Sequence, residues 1–164
     1  MSRQPAIDGF EFASAGAAQH GTLPVREFPR LRDLLASDAG EVAYELEGTR
    51  DERGRAGLRV AVRGVLQLRC QRCLEALPYE MGTDEILVLA ATQAEIDAEP
   101  LDASSRDRVL AGKAMALRDM VEDELILALP YAPRHKACGA GASSETESRR
   151  SPFAGLRGMM RGKH

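Results

Sequence analysis

The spacing of apolar and polar positions changes several times along the chain, and each change predicts an element. Through residues 1–27, Gly9, Gly16 and Gly21 interrupt short apolar pieces and no period is sustained. Beyond Phe28 the pattern sharpens. Leu31, Leu34 and Leu35 recur at helical spacing behind Pro29, a residue suited to a first helical turn, which predicts a short helix over 29–36. Val42, Tyr44 and Leu46 then alternate with Ala43, Glu45 and Glu47, a strand with one apolar and one acidic face. A polar loop rich in Arg and Gly follows from Gly48 to Gly57. Leu58, Val60, Val62, Leu66 and Leu68 line one face of a long second strand, and Arg59, Arg63, Gln67 and Arg69 line the other. Gly64 falls on the apolar face and marks a bulge or a close approach. Paired as an antiparallel hairpin, the two strands set an acidic outer face beside a basic one, a favourable cross-strand arrangement.

A third strand is expected from Tyr79 to Ala91, with Ile86-Leu87-Val88-Leu89-Ala90 buried on both faces. Residues 93–113 are polar and read as a solvated loop. A helix is predicted from Ala114 to Leu129, where Pro130 stops it. Its apolar stripe is Leu117, Val121, Leu125 and Ala128, widened by Met120 and Leu127. At 100° per residue, Glu122 and Asp123 project away from that stripe while Glu124 falls inside it and needs a partner. Gly139 to Ser148 is a Gly/Ser/Glu linker, and Ser151-Pro152 caps a short segment with Phe153, Leu156, Met159 and Met160 on one side. The elements add up to an α+β fold: an antiparallel sheet curled toward a barrel, a packed C-terminal helix and a basic tail. One domain spans 1–138, and 139–164 form a flexible linker and basic amphipathic tail.

Composition narrows the function classes. The chain of 164 residues has room for one domain with a core plus tails. Aromatic residues are 4% with no Trp, which argues against a base-stacking RNA binder. The net charge of −3 points to no nucleic acid globally, so the placement of charge matters more than its sum. No apolar run approaches the ~18 residues of a membrane helix, and the first residues lack the apolar core of a signal peptide. A cytoplasmic protein with no membrane partner is expected. Cys70, Cys73 and Cys138 are an odd number for a disulfide framework.

Four groupings carry candidate chemistry. Cys70-x-x-Cys73 with His135-x-x-Cys138 supplies four ligands of a kind accepted for structural zinc, since a two-residue spacing turns both sulfurs inward. Three reduced thiols, or a redox pair at Cys70 and Cys73, are the competing readings. Residues 50–72 hold seven Arg against Asp51 and Glu52, and guanidinium forks suit phosphate. Arg59, Arg63, Arg69 and Arg72 are the candidate RNA contacts; pairing with Glu45 and Glu47 is the structural alternative. Glu122 and Asp123 offer carboxylates to a metal-dependent nuclease, although no supporting catalytic spacing accompanies them. Arg149, Arg150, Arg157, Arg161 and Lys163 make the tail basic, and Phe153 and Leu156 are its candidate partner contacts.

Taken in order, these motifs resemble one family. The run Met120-Val121-Glu122-Asp123-Glu124-Leu125-Ile126-Leu127-Ala128-Leu129-Pro130, followed by Pro133 and His135, is similar to the signature of the YceD family of large ribosomal RNA subunit accumulation proteins. Cys70-Gln71-Arg72-Cys73-Leu74 resembles its second signature, and Ser151-Pro152-Phe153-Ala154-x-Leu156 its ending, with Ser in place of Asn. Residues 21–31 match more weakly. The resemblance implies a small cytoplasmic α+β protein needed for normal 23S ribosomal RNA levels, with no catalytic residues. Its partners would be 23S RNA or its precursor and large-subunit assembly particles or processing factors. It also implies a joint role for His135 and Cys138 with Cys70 and Cys73. A protein-binding adaptor without RNA contact is the alternative.

Overall fold

The computed structural model describes residues 6–98, 100 and 106–138. In chain order the elements are β1 (Ala6–Ile7), α1 (Gly9–Ser14), β2 (Ala18–Pro24), β3 (Leu35–Ser37), β4 (Glu41–Arg50), β5 (Ala56–Arg69), β6 (Ala76–Ala90), α2 (Gln93–Asp97), β7 (Arg108–Leu110), β8 (Met115–Ala116) and α3 (Leu117–Ala128). The main sheet runs β2-β4-β5-β6-β7, with β3 joined to β5; β1 and β8 form a separate small pair. The fold is α+β and largely antiparallel, with α3 packed on the sheet. β2 and β7 end the path without pairing each other, so the sheet stays open.

The predicted hairpin is β4–β5. Glu47 stands opposite Arg59 and Val42 opposite Gly64. Its turn is tightened by Asp51, whose carboxylate accepts the amides of Arg53 (3.0 Å) and Arg55 (2.7 Å) and the Arg55 guanidinium (2.7 Å). At Gly64 the ladder to β6 continues without a break. A Cβ there would lie 2.8 Å from Val42 Cγ1 and 3.2 Å from the Glu41 carbonyl oxygen. Gly64 therefore serves close packing, not a bulge. β6 runs beside β5 from Ala76 opposite Arg69 to Val88 opposite Gly57, and its apolar end from Leu87 to Ala90 is buried.

Three expectations change. Residues 29–36 do not form a helix. Two short 3-10 turns, Val25–Glu27 and Arg32–Leu34, lead into β3. Pro29 steers Phe28 into extended backbone, and the buried Val25, Phe28, Leu31 and Leu35 close one end of the core instead of forming a helical stripe. The polar region 93–113 holds a short helix, α2, and a strand, β7, parallel to β6. A stretch that short takes its strand from the β6 edge, not from its own periodicity. The unsignalled first residues supply α1 and edge strand β2, which pairs along β4 from Ala18 to Pro24.

Helix α3 starts at Leu117 behind Ala116, which makes no side-chain cap bond. Leu117, Val121 and Leu125 are fully buried, each worth about 1.5–3 kcal/mol of transfer free energy. Leu127, placed in the stripe by periodicity, is 72% exposed, and Ile126 packs against the core instead.

Candidate metal centre

The end of β5 and the segment after α3 meet. Cys70 closes β5; the chain turns through Gln71, Arg72 and Cys73; and β6 begins at Ala76. Within this turn the Leu74 amide donates to the Cys70 carbonyl (2.9 Å) and the Cys70 amide to the Glu75 carbonyl (2.9 Å). The Arg72 amide points at Cys70 Sγ, 3.5 Å away. Leu74 adopts φ +65°, a left-handed conformation costing a non-glycine residue about 1–2 kcal/mol, which the surrounding turn imposes. Pro130 ends α3, and the following segment returns to this turn, where the Gln71 amide donates to the Pro133 carbonyl (2.8 Å).

That return brings all four predicted ligands together. The ligand atoms of Cys70, Cys73, His135 and Cys138 all lie within 4.8 Å of one another. Cys70 Sγ is 3.7 Å from Cys138 Sγ, and Cys73 Sγ is 3.4 Å from His135 Nδ1. Around a tetrahedral metal with thiolate bonds near 2.3 Å the S···S edge is about 3.8 Å, so these separations fit one ion at the centre. The second layer fits too. His135 Nε2 lies 3.1 Å from the Ala76 carbonyl oxygen, which holds the proton on Nε2 and leaves the Nδ1 lone pair facing the sulfurs. Arg72 Nε donates to Cys138 Sγ at 3.0 Å, charge support for a thiolate.

The thiols are not alike. Cys70 is pulled down to about 5, chiefly by the Cys73 amide donating to its sulfur, with the amides of His135 and Arg72 adding to this. At Cys73 the Glu75 amide favours the thiolate, but burial and the neighbouring sulfurs of Cys70 and Cys138 outweigh it and raise the value. A cation at the centre would relieve that repulsion. The three cysteines are free of disulfides. The turn from Cys73 also enters a strand, not a helix, so the helix N-terminus that usually activates a redox pair is missing.

The arginine strand face is less open than the sequence suggested. Arg59 is held by Asp84 through two bonds (2.8 and 2.6 Å) and reaches Glu47 at 3.5 Å. Antiparallel pairing sets Glu47 of β4 and Asp84 of β6 on either side of Arg59, so its charge is met within the sheet. Arg63 lies exposed; Arg69 is exposed and reaches the Leu35 carbonyl at 3.4 Å; Arg72 leans on Cys138.

Glu122 overturns its expected solvent exposure. It is 1% exposed because the 28–31 segment covers it. Its carboxylate accepts the amides of Arg30 (2.6 Å) and Leu31 (3.3 Å) and the Arg30 Nε (2.9 Å), while Asp123 takes another nitrogen of the same guanidinium. These carboxylates therefore pin residues 30–31 to α3 and are engaged there. Glu124 is buried as its stripe position required, but the expected partner is not found among the described residues. It lines a cleft of about 520 Å³ between α3 and β7. Phe153 and Leu156 lie outside the described residues.

Fold and site define a small α+β protein whose sheet end and post-helix segment join in a Cys3His cluster able to hold a metal ion. Residues 58–159 match the family described as large ribosomal RNA subunit accumulation protein YceD, and the chain belongs to that family. No curated protein and no solved structure matches it. Among the described residues no helix is long and apolar enough to cross a membrane.

Proposed function

We propose that this protein is a non-enzymatic, cytoplasmic factor that supports 23S ribosomal RNA accumulation and large-subunit assembly. Membership of a family named for large ribosomal RNA accumulation carries the reading. The engagement of Glu122 and Asp123 with Arg30 supports a structural role for them, not a nuclease site. The four-residue cluster would hold zinc in a closed site with Cys70, Cys73, Cys138 and His135 Nδ1 as ligands. Zinc there would supply a cross-link between two loops, not an open position for chemistry. RNA phosphates would be met by Arg63, Arg69 and Arg72, with Arg59 already engaged by Asp84 and Glu47. Phe153 and Leu156 would contact an assembly particle or a processing factor. The proteins of that particle and 23S RNA or its precursor are thus the expected partners.

The test is the ribosomal RNA profile of cells depleted of this protein. A selective fall in 23S RNA and large subunits, with 16S RNA spared, is the expected result. Equal 23S and 16S levels would overturn the reading.

A further inference from the structure

Several basic side chains lie on the two loops of the Cys3His cluster. Arg69 and Arg72 are exposed on the first loop and its approach, and Arg134 and Lys136 are exposed on the second, either side of His135. Across 69–75 and 130–138 the only acid is Glu75. The two loops are held in one arrangement by the Gln71–Pro133 bond (2.8 Å), the His135–Ala76 bond (3.1 Å) and the four ligand atoms. The basic residues are therefore neighbours by construction, although Arg134 and Arg69 are far apart in sequence. Tyr131 stands fully exposed at 103% on the second loop, and Leu74 is 67% exposed on the first. An exposed tyrosine on the loop that also carries Arg134 and Lys136 is matched to an unpaired base beside a phosphate run. Duplex RNA hides its base faces inside the stack, so the fit is to a single-stranded stretch or a loop. One aromatic makes one stacking contact, which agrees with a chain otherwise poor in aromatics.

Resting on the ribosomal RNA reading above, we propose that the two metal-joined loops are the RNA-binding surface: Arg69, Arg72, Arg134 and Lys136 hold phosphates of an unpaired RNA segment and Tyr131 stacks on one of its bases. Metal then has a functional consequence. It orders both loops before RNA arrives, so binding loses less conformational entropy.

The experiment uses zinc-loaded full chain and transcribed segments tiling 23S ribosomal RNA, with affinity read across a salt series. Tyr131→Ala is expected to weaken binding about tenfold without changing the salt slope, and Tyr131→Phe to restore it. Arg134→Gln with Lys136→Gln is expected to flatten the slope of log affinity against log salt by about 1.4, at roughly 0.7 per lost single-strand phosphate contact. Metal content of each variant stays at the wild-type value, since none of these side chains is a ligand. If these variants bind as wild type while Arg63→Glu weakens binding, the loop surface is refuted and the ribosomal RNA reading stands. If wild-type protein binds no segment yet sediments with assembly particles, the surface docks protein, and this inference fails while the assembly role survives. If it neither binds RNA nor affects 23S levels on depletion, both fail.

Discussion

At the scale of single residues, burial decides what a carboxylate does. Glu122 and Glu124 lie on one helix, both hidden from solvent, yet of the two only Glu122 accepts hydrogen bonds from the described residues. Glu124 is raised above the usual glutamate value of 4.5, first by burial and then by the charges of Glu85, Asp107 and Asp123. A group whose folded value exceeds its unfolded value stabilises the fold below the unfolded value, and that contribution is lost as pH rises through the folded value. As pH rises above 4.5 the fold therefore loses stability through Glu124. Glu124→Gln should raise the urea midpoint at pH 7, and the two midpoints should converge as pH falls through the unperturbed value of 4.5. A gap that persists unchanged in acid would assign the effect to packing, not charge.

At the scale of elements, the Glu122 carboxylate fastens the 25–37 excursion to α3. Residues 28–31 have no helix or strand ladder of their own, so their amides must bond elsewhere, and Glu122 takes two of them. Glu122→Ala would leave both amides without their acceptor, a loss of about 1–3 kcal/mol for each buried donor, while the Arg30 guanidinium keeps Asp123 and the Asp119 carbonyl. Arg30→Ala should cost much less, about 1 kcal/mol, because the arginine is half exposed and its Asp123 pair faces water. Denaturant midpoints for the two variants check the ranking. Equal costs would mean that the guanidinium, and not the backbone amides, is what Glu122 chiefly serves.

For the whole molecule the Cys3His cluster joins two distant stretches of chain. Cys73 and His135 are 62 residues apart, and none of the four cluster residues belongs to the hydrophobic core of the sheet. Zinc at a hundredfold excess over its Kd would add about 2.7 kcal/mol, which for a chain of this size is roughly 5–10 °C in Tm. Chelation, or Cys73→Ser, should remove that increment, and amide exchange should rise first in 70–75 and 133–138 while β4–β6 stay protected. Collapse of the entire sheet on chelation would show the ion to be a folding requirement instead of a clasp. A Tm unmoved by chelation would end the zinc reading.

Local pattern and chain order settled much of this protein. Alternation fixed the faces of β4 and β5, the apolar run marked the buried end of β6, and Pro130 set the end of α3, because each signal acts within a few residues. The Cys70-x-x-Cys73 and His135-x-x-Cys138 spacings marked the two pairs of side chains that the fold brings together. What needed the tertiary structure were properties that depend on distant neighbours. β2 and β7 form because β4 and β6 offer unpaired edges, which no local period reveals. Residues 29–36 do not form the predicted helix because Pro29 holds Phe28 extended and the buried Glu122 accepts the amides of Arg30 and Leu31. Arg59 is neutralised because register sets Asp84 and Glu47 beside it, whereas Arg134 and Lys136, unremarkable in sequence, gain Arg69 and Arg72 as neighbours only when the chain after α3 folds back to the end of β5. Sequence spacing sets which side chains share a face, but charge and burial are properties of the assembled surface, and those arise only once the strands and loops have met.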